Sequence, residues 1–165
     1  MREEHRRVGW QVPVEFRRSH VHGTGVFAGR AIAAGTRVWQ VDESMHVCDG
    51  PGLATLRPAE LRFALHGGYL HGPSGRFLWY RDGMQFMNHR AAPDANVGLG
   101  TWPPLCDDHC VALRDIEAGE ELFEDYTFWC GDGVRPEHWL HGLYAEHCPE
   151  HFAFLEQLGT FRAAA

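Results

Sequence analysis

Residues 111–129 read VALRDIEAGEELFEDYTFW, and this stretch decides the fold class. An apolar run over 110–113 and the sequence Glu-Leu-Phe over 121–123 flank the turn sequence Glu117-Ala118-Gly119-Glu120. Short runs rich in Val, Leu and Phe that are separated by a glycine turn are typical of paired strands. Tyr126 follows the second run and is itself followed by two more aromatic residues. The stretch therefore predicts a strand–turn–strand unit that ends in an aromatic cluster.

Upstream of it, residues 19–28 read SHVHGTGVFA. Glycines flank Thr24, and a glycine lets backbone approach a ligand closely because no Cβ intervenes. The pattern G-x-G-x-x-A that starts at Gly23, with Asp42 further on, also matches a dinucleotide-binding fingerprint. That fingerprint requires a buried strand before it and a helix after it, whereas here two arginines precede it and Gly35 would interrupt the helix. A dinucleotide site is therefore disfavoured.

Between these two segments, residues 85–96 read QFMNHRAAPDAN. We expect an apolar strand that runs into Asn88 and His89, followed by a proline-marked turn. The side-chain amide and the imidazole suit recognition of an amino-acid group and a purine edge. Taken alone, the segment favours a simpler interpretation, which is a polar turn stabilised by these two side chains.

Strands dominate the rest of the body and helices close the chain, so the predicted fold class is mainly β, a β-rich α+β protein. Residues 30–36 and 114–120 also share the pattern R-x-I-x-A-G-x, which suits a strand–turn–strand unit in each copy. Further strands are predicted at 14–16, 26–28, 38–41 and 76–80, helices at 58–66, 136–147 and 149–158, and a loop at 42–56.

Composition limits the classes of function. A chain of 165 residues fits one domain, and its net charge of −7 argues against a nucleic-acid partner. No apolar run reaches the roughly 20 residues that span a membrane, so no membrane partner is expected. The N-terminus has no apolar segment after its charges, from which we expect no secretory signal and a cytoplasmic location. Five cysteines, an odd number, favour free thiols in a reducing compartment.

Taken in chain order, the segments 19–28, 85–96 and 111–129 are the first, second and third motif segments. They resemble the motifs of the SET-domain methyltransferases, which read H-G-x-G-V/L-F-A, R-F-I-N-H-S-C-x-P-N-A and A-L-R-D-I-x-x-G-E-E-L-T-Y/F-D-Y. The resemblance covers residues 14–129 and implies small curved sheets with a knot-like threading, in which the segment 85–96 passes through a loop beside 111–129. The implied organisation is a polar N-terminal arm at 1–13, a SET domain at 14–130 with a variable insert at 42–76, and a C-terminal helical segment at 131–165.

The resemblance also implies the chemistry. S-adenosylmethionine is the expected methyl donor, and the expected acceptor is a lysine amine in a basic segment of a protein substrate. Tyr126 matches the catalytic tyrosine. Asn88 and His89 are expected to hold the amino-acid end and the adenine of the donor, and an aromatic side chain at 128 or 129 is expected to cover the adenine. The implied cofactor-binding residues are His22, Gly23, Thr24, Gly25, Asn88, His89, Phe128 and Trp129.

Some positions depart from the family pattern. Ala91 replaces a cysteine of the zinc site that many members share with a C-terminal cysteine cluster, and such a cluster does not follow here. We therefore expect the helices between 136 and 158 to close the cofactor pocket in place of a zinc-bound tail. Cysteines at 106–110, or at 130 together with residues 147–148, lack the usual spacing of a structural zinc site, so no metal is predicted.

Two acidic residues also depart from the pattern. Asp94 replaces an asparagine, and Glu124 stands where the family usually has Phe or Tyr. A carboxylate beside the substrate channel would favour a charged amine. Either Glu124 faces solvent and Phe123 takes the aromatic role, or the acceptor is not an ordinary lysine. Tyr69 and Tyr80 are both candidates for the second tyrosine of the channel.

Three functions therefore stay open: a protein-lysine methyltransferase, a SET-type methyltransferase of a small amine or another side chain, and a non-catalytic binding module with the same fold. All 15 Lys and Arg residues are arginine. A GC-rich genome, as in a bacterial source, is the simpler explanation for this. The other explanation is that a lysine-modifying enzyme avoids modifying itself.

Overall fold

The computed structural model describes residues 9–40, 45–71, 75–99, 109–128 and 133–162. The chain divides into two compact units, a first one from 1–45 and 81–125 and a second one from 46–80 and 126–165. No helix within the described ranges is long and apolar enough to cross a membrane. The described elements are β1 (Val14–Arg18), β2 (Thr24–Ala28), β3 (Arg37–Gln40), β4 (His46–Cys48), α1 (Gly50–Ala54), α2 (Pro58–Gly67), β5 (Tyr69–His71), β6 (Arg76–Trp79), β7 (Asn88–His89), β8 (Val97–Leu99), β9 (His109–Ala112), β10 (Glu121–Glu124), α3 (Trp139–His147) and α4 (Pro149–Leu158), with 3₁₀ helices at Met84–Phe86 and Tyr126–Phe128.

The first unit is built on one sheet in the order β1-β2-β10-β8-β9-β3, with β7 also paired to β10. β10 is antiparallel to β2 and parallel to both β7 and β8. The strand β10, from the segment 111–129, therefore takes partners from the other two motif segments, 19–28 and 85–96. The apolar residues of β2 and β10 are buried, as expected for strands with neighbours on both sides.

The two copies of the repeated pattern R-x-I-x-A-G-x pair with each other. Ile32 and Ile116 form an antiparallel bridge, in which each backbone N–H donates to the other's carbonyl at 2.9 Å. Both copies then turn at a glycine of positive φ, +77° at Gly35 and +82° at Gly119, a conformation that other residues rarely adopt. The repeat is thus a pair of matched turns within one unit.

The second unit contains a small antiparallel sheet, β4-β6-β5, and all four α-helices of the described residues. Proline lies in the first turn of α2 and of α4, and Gly159 at φ +78° follows α4. These residue types are typical of helix starts and helix ends. Its core is formed by apolar side chains from both the helices and the sheet, namely Leu53, Leu61, Ala64, Leu65, Phe77, Trp79, Val134, Leu140, Tyr144, Leu155 and Phe161.

The predicted fold class, mainly β with C-terminal helices, is confirmed. Two local predictions are wrong. Residues 42–56 are not one loop, because β4 and α1 form within them, and the Asp49 carboxylate caps α1 by accepting from the Gly52 N–H at 2.9 Å. The apolar run that enters Asn88 is the 3₁₀ helix Met84–Phe86 rather than a strand, since it is three residues long and begins after Gly83 at φ +95°.

The predicted linear organisation, with boundaries at 13/14 and 130/131, does not coincide with the two compact units. Apart from Met45, the described part of the insert falls in the second unit, together with the C-terminal helices. Trp10 and Val12, in the stretch expected to be a polar arm, are buried, and Trp10 forms a bridge with Trp39. Apolar side chains of this stretch therefore contribute to the core of the first unit.

Candidate active site

Asn88 is the point at which the three motif segments meet. Its side chain is buried, and its amide nitrogen donates to the carbonyl oxygens of His22 at 3.1 Å and Thr24 at 3.3 Å. The same nitrogen donates to Glu121 Oε1 at 2.9 Å, so its two hydrogens are shared among three acceptors. One amide from β7 thus connects the glycine-containing loop before β2 to the first residue of β10. The structure therefore brings His22, Thr24 and Asn88 together.

The two glycines of the first segment have different environments. At Gly23 the backbone φ is +48°, and an added Cβ would meet no atom within 4 Å. At Gly25 an added Cβ would overlap the carboxylate of Glu121. Gly23 therefore leaves open space beside the loop, which fits close approach of a ligand. Gly25 leaves room for a buried protein side chain, a role that the sequence alone did not predict.

His89 follows Asn88 in β7 and pairs with Glu124 of β10. Burial lowers the pKa of the His89 imidazole from its ordinary value of 6.5, although nearby Asp125 and a hydrogen bond to the Glu124 backbone oppose this shift. His89 is therefore neutral at neutral pH. A neutral imidazole has one donor and one acceptor nitrogen and does not repel a cationic ligand.

Tyr126 and Phe128 belong to the second unit, where they lie in the 3₁₀ helix that begins one residue after Asp125. Tyr126 packs against the apolar core of that unit, with its ring edge-on to Phe154 of α4 at a centroid distance of 6.5 Å and an angle of 81°. Phe128 is 42% exposed. Trp129 lies outside the described residues.

The positions that depart from the family pattern are now located. Asp94 is exposed. Phe123 is buried beneath the Arg90 guanidinium, whose central carbon lies 4.5 Å from the ring centroid. Glu124 is partly buried and, being next in the strand, points to the opposite face.

The two candidates for the second channel tyrosine are neighbours. The rings of Tyr69 and Tyr80 stack at a centroid distance of 6.3 Å with an interplanar angle of 29°. Tyr80 is buried and Tyr69 is partly buried. Because the two stacked rings occupy the same place in the second unit, their position does not distinguish them. Both stay candidates for the second channel tyrosine.

Among the described residues, no group of three or more His, Cys, Asp or Glu side chains could hold a metal ion. Of the cysteines considered above as alternative ligands, those at 106 and 130 lie outside the described ranges. Cys148 is a free thiol at the start of α4, and burial raises its pKa, which disfavours the thiolate that binds metals.

Two residues of the site were missed by sequence reasoning. Ser19 and Glu121 are buried, and the Ser19 hydroxyl donates to Glu121 Oε2 at 3.0 Å. Both residues lie within the motif segments 19–28 and 111–129, so their position in the chain indicated that they are near the site. Nothing in the sequence, however, pairs a serine with a glutamate 102 residues later. A glutamate in a predicted strand next to apolar residues was the available clue, because a strand's buried face rarely carries an unpaired charge.

The SET domain family model matches residues 23–127 of the chain. This match covers well over half of the sequence, and the chain belongs to the SET-domain family. The resemblance carried by the three motifs is thereby confirmed. No curated protein sequence matches the chain significantly.

Solved structures with a similar fold include three proteins of low sequence identity. A candidate histone methyltransferase from Plasmodium falciparum is 14% identical over 79% of this chain and 98% of its own, with a TM-score of 0.47. KRYPTONITE, solved with mCHH DNA, an H3(1-15) peptide and SAH, is 17% identical over 72% of this chain and 24% of its own, with a TM-score of 0.47. The Neurospora histone lysine methyltransferase DIM-5 is 21% identical over 72% of this chain and 53% of its own, with a TM-score of 0.46. At these values the family assignment depends on the sequence match.

Proposed function

We propose that the chain is a SET-type methyltransferase that uses S-adenosylmethionine and methylates a lysine side chain of another protein. One observation carries the proposal. The buried amide of Asn88 joins the carbonyls of His22 and Thr24 to the carboxylate of Glu121, so the three motif segments converge as a ligand site requires. Membership of the SET-domain family supports the same class of reaction.

The loop at residues 19–25, which we call the donor loop, fits the proposed ligand. Open space beside Gly23 permits the close approach of an extended amino-acid group to the backbone. His89, kept neutral by burial, adds no positive charge near a ligand that carries a sulfonium and an ammonium. When bound, S-adenosylmethionine supplies an electrophilic methyl group on its sulfonium sulfur.

The protein's own residues must prepare the acceptor. An unperturbed lysine has a pKa of about 10.4, so at neutral pH its lone pair is almost always protonated. Exclusion of water favours the neutral amine. We assign to the Tyr126 hydroxyl the role of orienting that amine, whose lone pair forms the new N–C bond while the S–C bond breaks. The methylated ammonium then releases a proton to solvent.

Two further observations support an acceptor in a basic segment of a protein and an aromatic contact to the adenine. The chain carries a net charge of −7, which attracts a basic substrate through long-range electrostatics. The exposed ring of Phe128 offers a stacking surface for a purine.

The test is transfer of tritiated methyl groups from S-adenosylmethionine to proteins of a cell lysate, by wild type and by Tyr126→Phe. Loss of one hydroxyl from the proposed catalytic group should lower kcat about 10²-fold or more, while calorimetry shows unchanged binding of S-adenosylhomocysteine. Tyr144→Phe is the matched control, because it removes a hydroxyl that donates to the Leu65 carbonyl inside the second unit. This control should keep its activity.

Other outcomes separate the alternatives. Label that remains after proteins are removed from the lysate would indicate a small amine as the acceptor. A wild-type protein that binds no S-adenosylhomocysteine would be a non-catalytic module, and the proposal would be wrong. Equal loss of activity in both variants would contradict the role of Tyr126.

A further inference from the structure

We infer that Glu121 is a positioning residue for the donor loop, residues 19–25, and that it acts through Ser19 and Asn88. This inference rests on the proposed function, because it assigns a task to the loop that binds the donor. The three side chains form one buried hydrogen-bonded group, which we call the Ser19–Glu121–Asn88 network. Each step from carboxylate to loop backbone is a contact of the structure.

The carboxylate is held by neutral donors. Glu121 is 9% exposed, and its two oxygens accept separately from the Ser19 hydroxyl at 3.0 Å and the Asn88 amide at 2.9 Å. None of the ion pairs among the described residues includes Glu121. A buried carboxylate without a cation depends on such donors, because each one offsets part of the cost of leaving water. The two donors are therefore strongly held in place.

Ser19 and Asn88 also form hydrogen bonds with the backbone of the donor loop. The Ser19 oxygen accepts from the backbone N–H groups of Val21 at 2.9 Å and His22 at 3.4 Å. Asn88 donates to the carbonyls of His22 and Thr24. Four backbone groups between residues 21 and 24 are thus fixed by two side chains, both of which are bound to one carboxylate.

Gly25 provides independent support. A side chain at this position would overlap the carboxylate, so the backbone of the loop passes directly against Glu121. The network therefore contacts the loop at its beginning, through Ser19, and at its end, at Gly25. A loop fixed at both ends and in the middle is pre-organised, which lowers the entropy lost when a ligand binds.

Glu121→Gln tests the inference, because the change keeps size and removes one acceptor. The new NH₂ group must face either the Asn88 amide or the Ser19 hydroxyl, whose oxygen already accepts from the backbone. We expect KM for S-adenosylmethionine and Kd for S-adenosylhomocysteine to rise about tenfold or more, with kcat changed much less. Amide hydrogen exchange within residues 20–25 should also become faster.

The chain offers a matched control in the neighbouring residue. Glu120 accepts from Arg114, from Asn96 and from the Glu117 N–H, so Glu120→Gln disturbs a hydrogen-bonded group of similar size away from the donor loop. It should lower the melting temperature and leave donor affinity and loop exchange unchanged. An equal effect of both variants on donor affinity would show that Glu121 only stabilises the fold.

Ser19→Ala keeps the test usable if Glu121→Gln does not fold, because it removes one donor and leaves the carboxylate in place. It should show the same pattern to a smaller degree, and Ser19→Thr should restore affinity by restoring the hydroxyl. If wild type binds the donor and these variants bind it equally well, the inference is wrong and the proposed function stands. If wild type binds no donor, the proposed function and the inference both fail.

Discussion

The two compact units differ in their buried polar groups and not in the size of their apolar cores. The twelve largest fully buried side chains are divided equally between the units. Of the six buried polar or charged side chains in the described part of the chain, by contrast, five belong to the first unit: Ser19, Asn88, Asn96, Glu121 and Asp125. Apolar packing accepts several arrangements, whereas hydrogen-bonded buried groups require one geometry. The unit that carries the donor loop is therefore the one specified by polar contacts.

The largest expected effect comes from filling the space that the polar network needs. Gly25→Ala places a methyl group against the Glu121 carboxylate, so either the loop or the carboxylate must move. We expect a loss of about 3 kcal/mol in the free energy of unfolding, as for overpacking of a core, together with loss of S-adenosylhomocysteine binding. Urea unfolding and calorimetry measure the two effects.

Gly23→Ala is the matched control. The space there is open, and only the positive φ of +48° opposes a side chain, which costs about 1 kcal/mol. Gly25→Ala that is no more destabilising than Gly23→Ala would mean that the carboxylate does not occupy that space, and the contrast between the units would lose its main support.

A smaller effect is expected from the hydroxyl of Tyr144 in the second unit. This hydroxyl donates to the Leu65 carbonyl at 2.6 Å and joins α3 to α2. Tyr144→Phe keeps the aromatic packing and leaves a buried carbonyl short of a donor, at a cost of about 1.5 kcal/mol in urea unfolding. A loss as large as that of Gly25→Ala would show that the second unit also depends on buried polar contacts.

The sequence predicts local elements well and buried polar contacts poorly. Periodicity and turn residues were sufficient for α2, α4 and most strands, because those signals are local. The motif segments predicted that His22, Thr24 and Asn88 come together, because their order in the chain matches a family. The identity of the atoms that join them could not be predicted, since Glu121 reaches Ser19 and Asn88 only after β10 has paired with β2 and β7.

Asn96 illustrates the same limit. In the sequence it is only a polar residue two positions beyond Asp94. In the structure it is completely buried, and its amide accepts from the Phe123 N–H at 2.8 Å and donates to the Glu121 carbonyl at 2.8 Å. The Asn96 side chain thus bonds backbone groups of β10, a task that a paired strand usually performs. A residue with this task leaves no periodic pattern in the sequence. Such residues are found only when the backbone groups of the neighbouring strand are accounted for one by one.

The smallest effect is a pH dependence in the second unit. His138 caps α3, because its Nδ1 accepts from the Leu140 N–H at 3.3 Å and must be unprotonated to do so. Burial, and then the proximity of His141, lower the pKa of His138 from 6.5, against a weaker opposing effect of Glu137. A histidine whose folded pKa is lowered binds fewer protons in the folded state than in the unfolded one. Its contribution is therefore fully present above pH 6.5 and is lost as the pH falls through the lowered value.

His138→Asn replaces this cap with one that does not titrate. At about pH 8 the variant and wild type should agree within a few tenths of a kcal/mol, and at about pH 5 the variant should be more stable by about 1 kcal/mol, the usual value of a helix cap. Urea unfolding at both pH values measures the difference, with His20→Asn in the exposed part of the donor loop as the control for loss of a histidine. Because His89 of the first unit is unchanged in both variants, its own titration cancels from the comparison. A constant difference between variant and wild type at the two pH values would show that the cap does not depend on the protonation of His138.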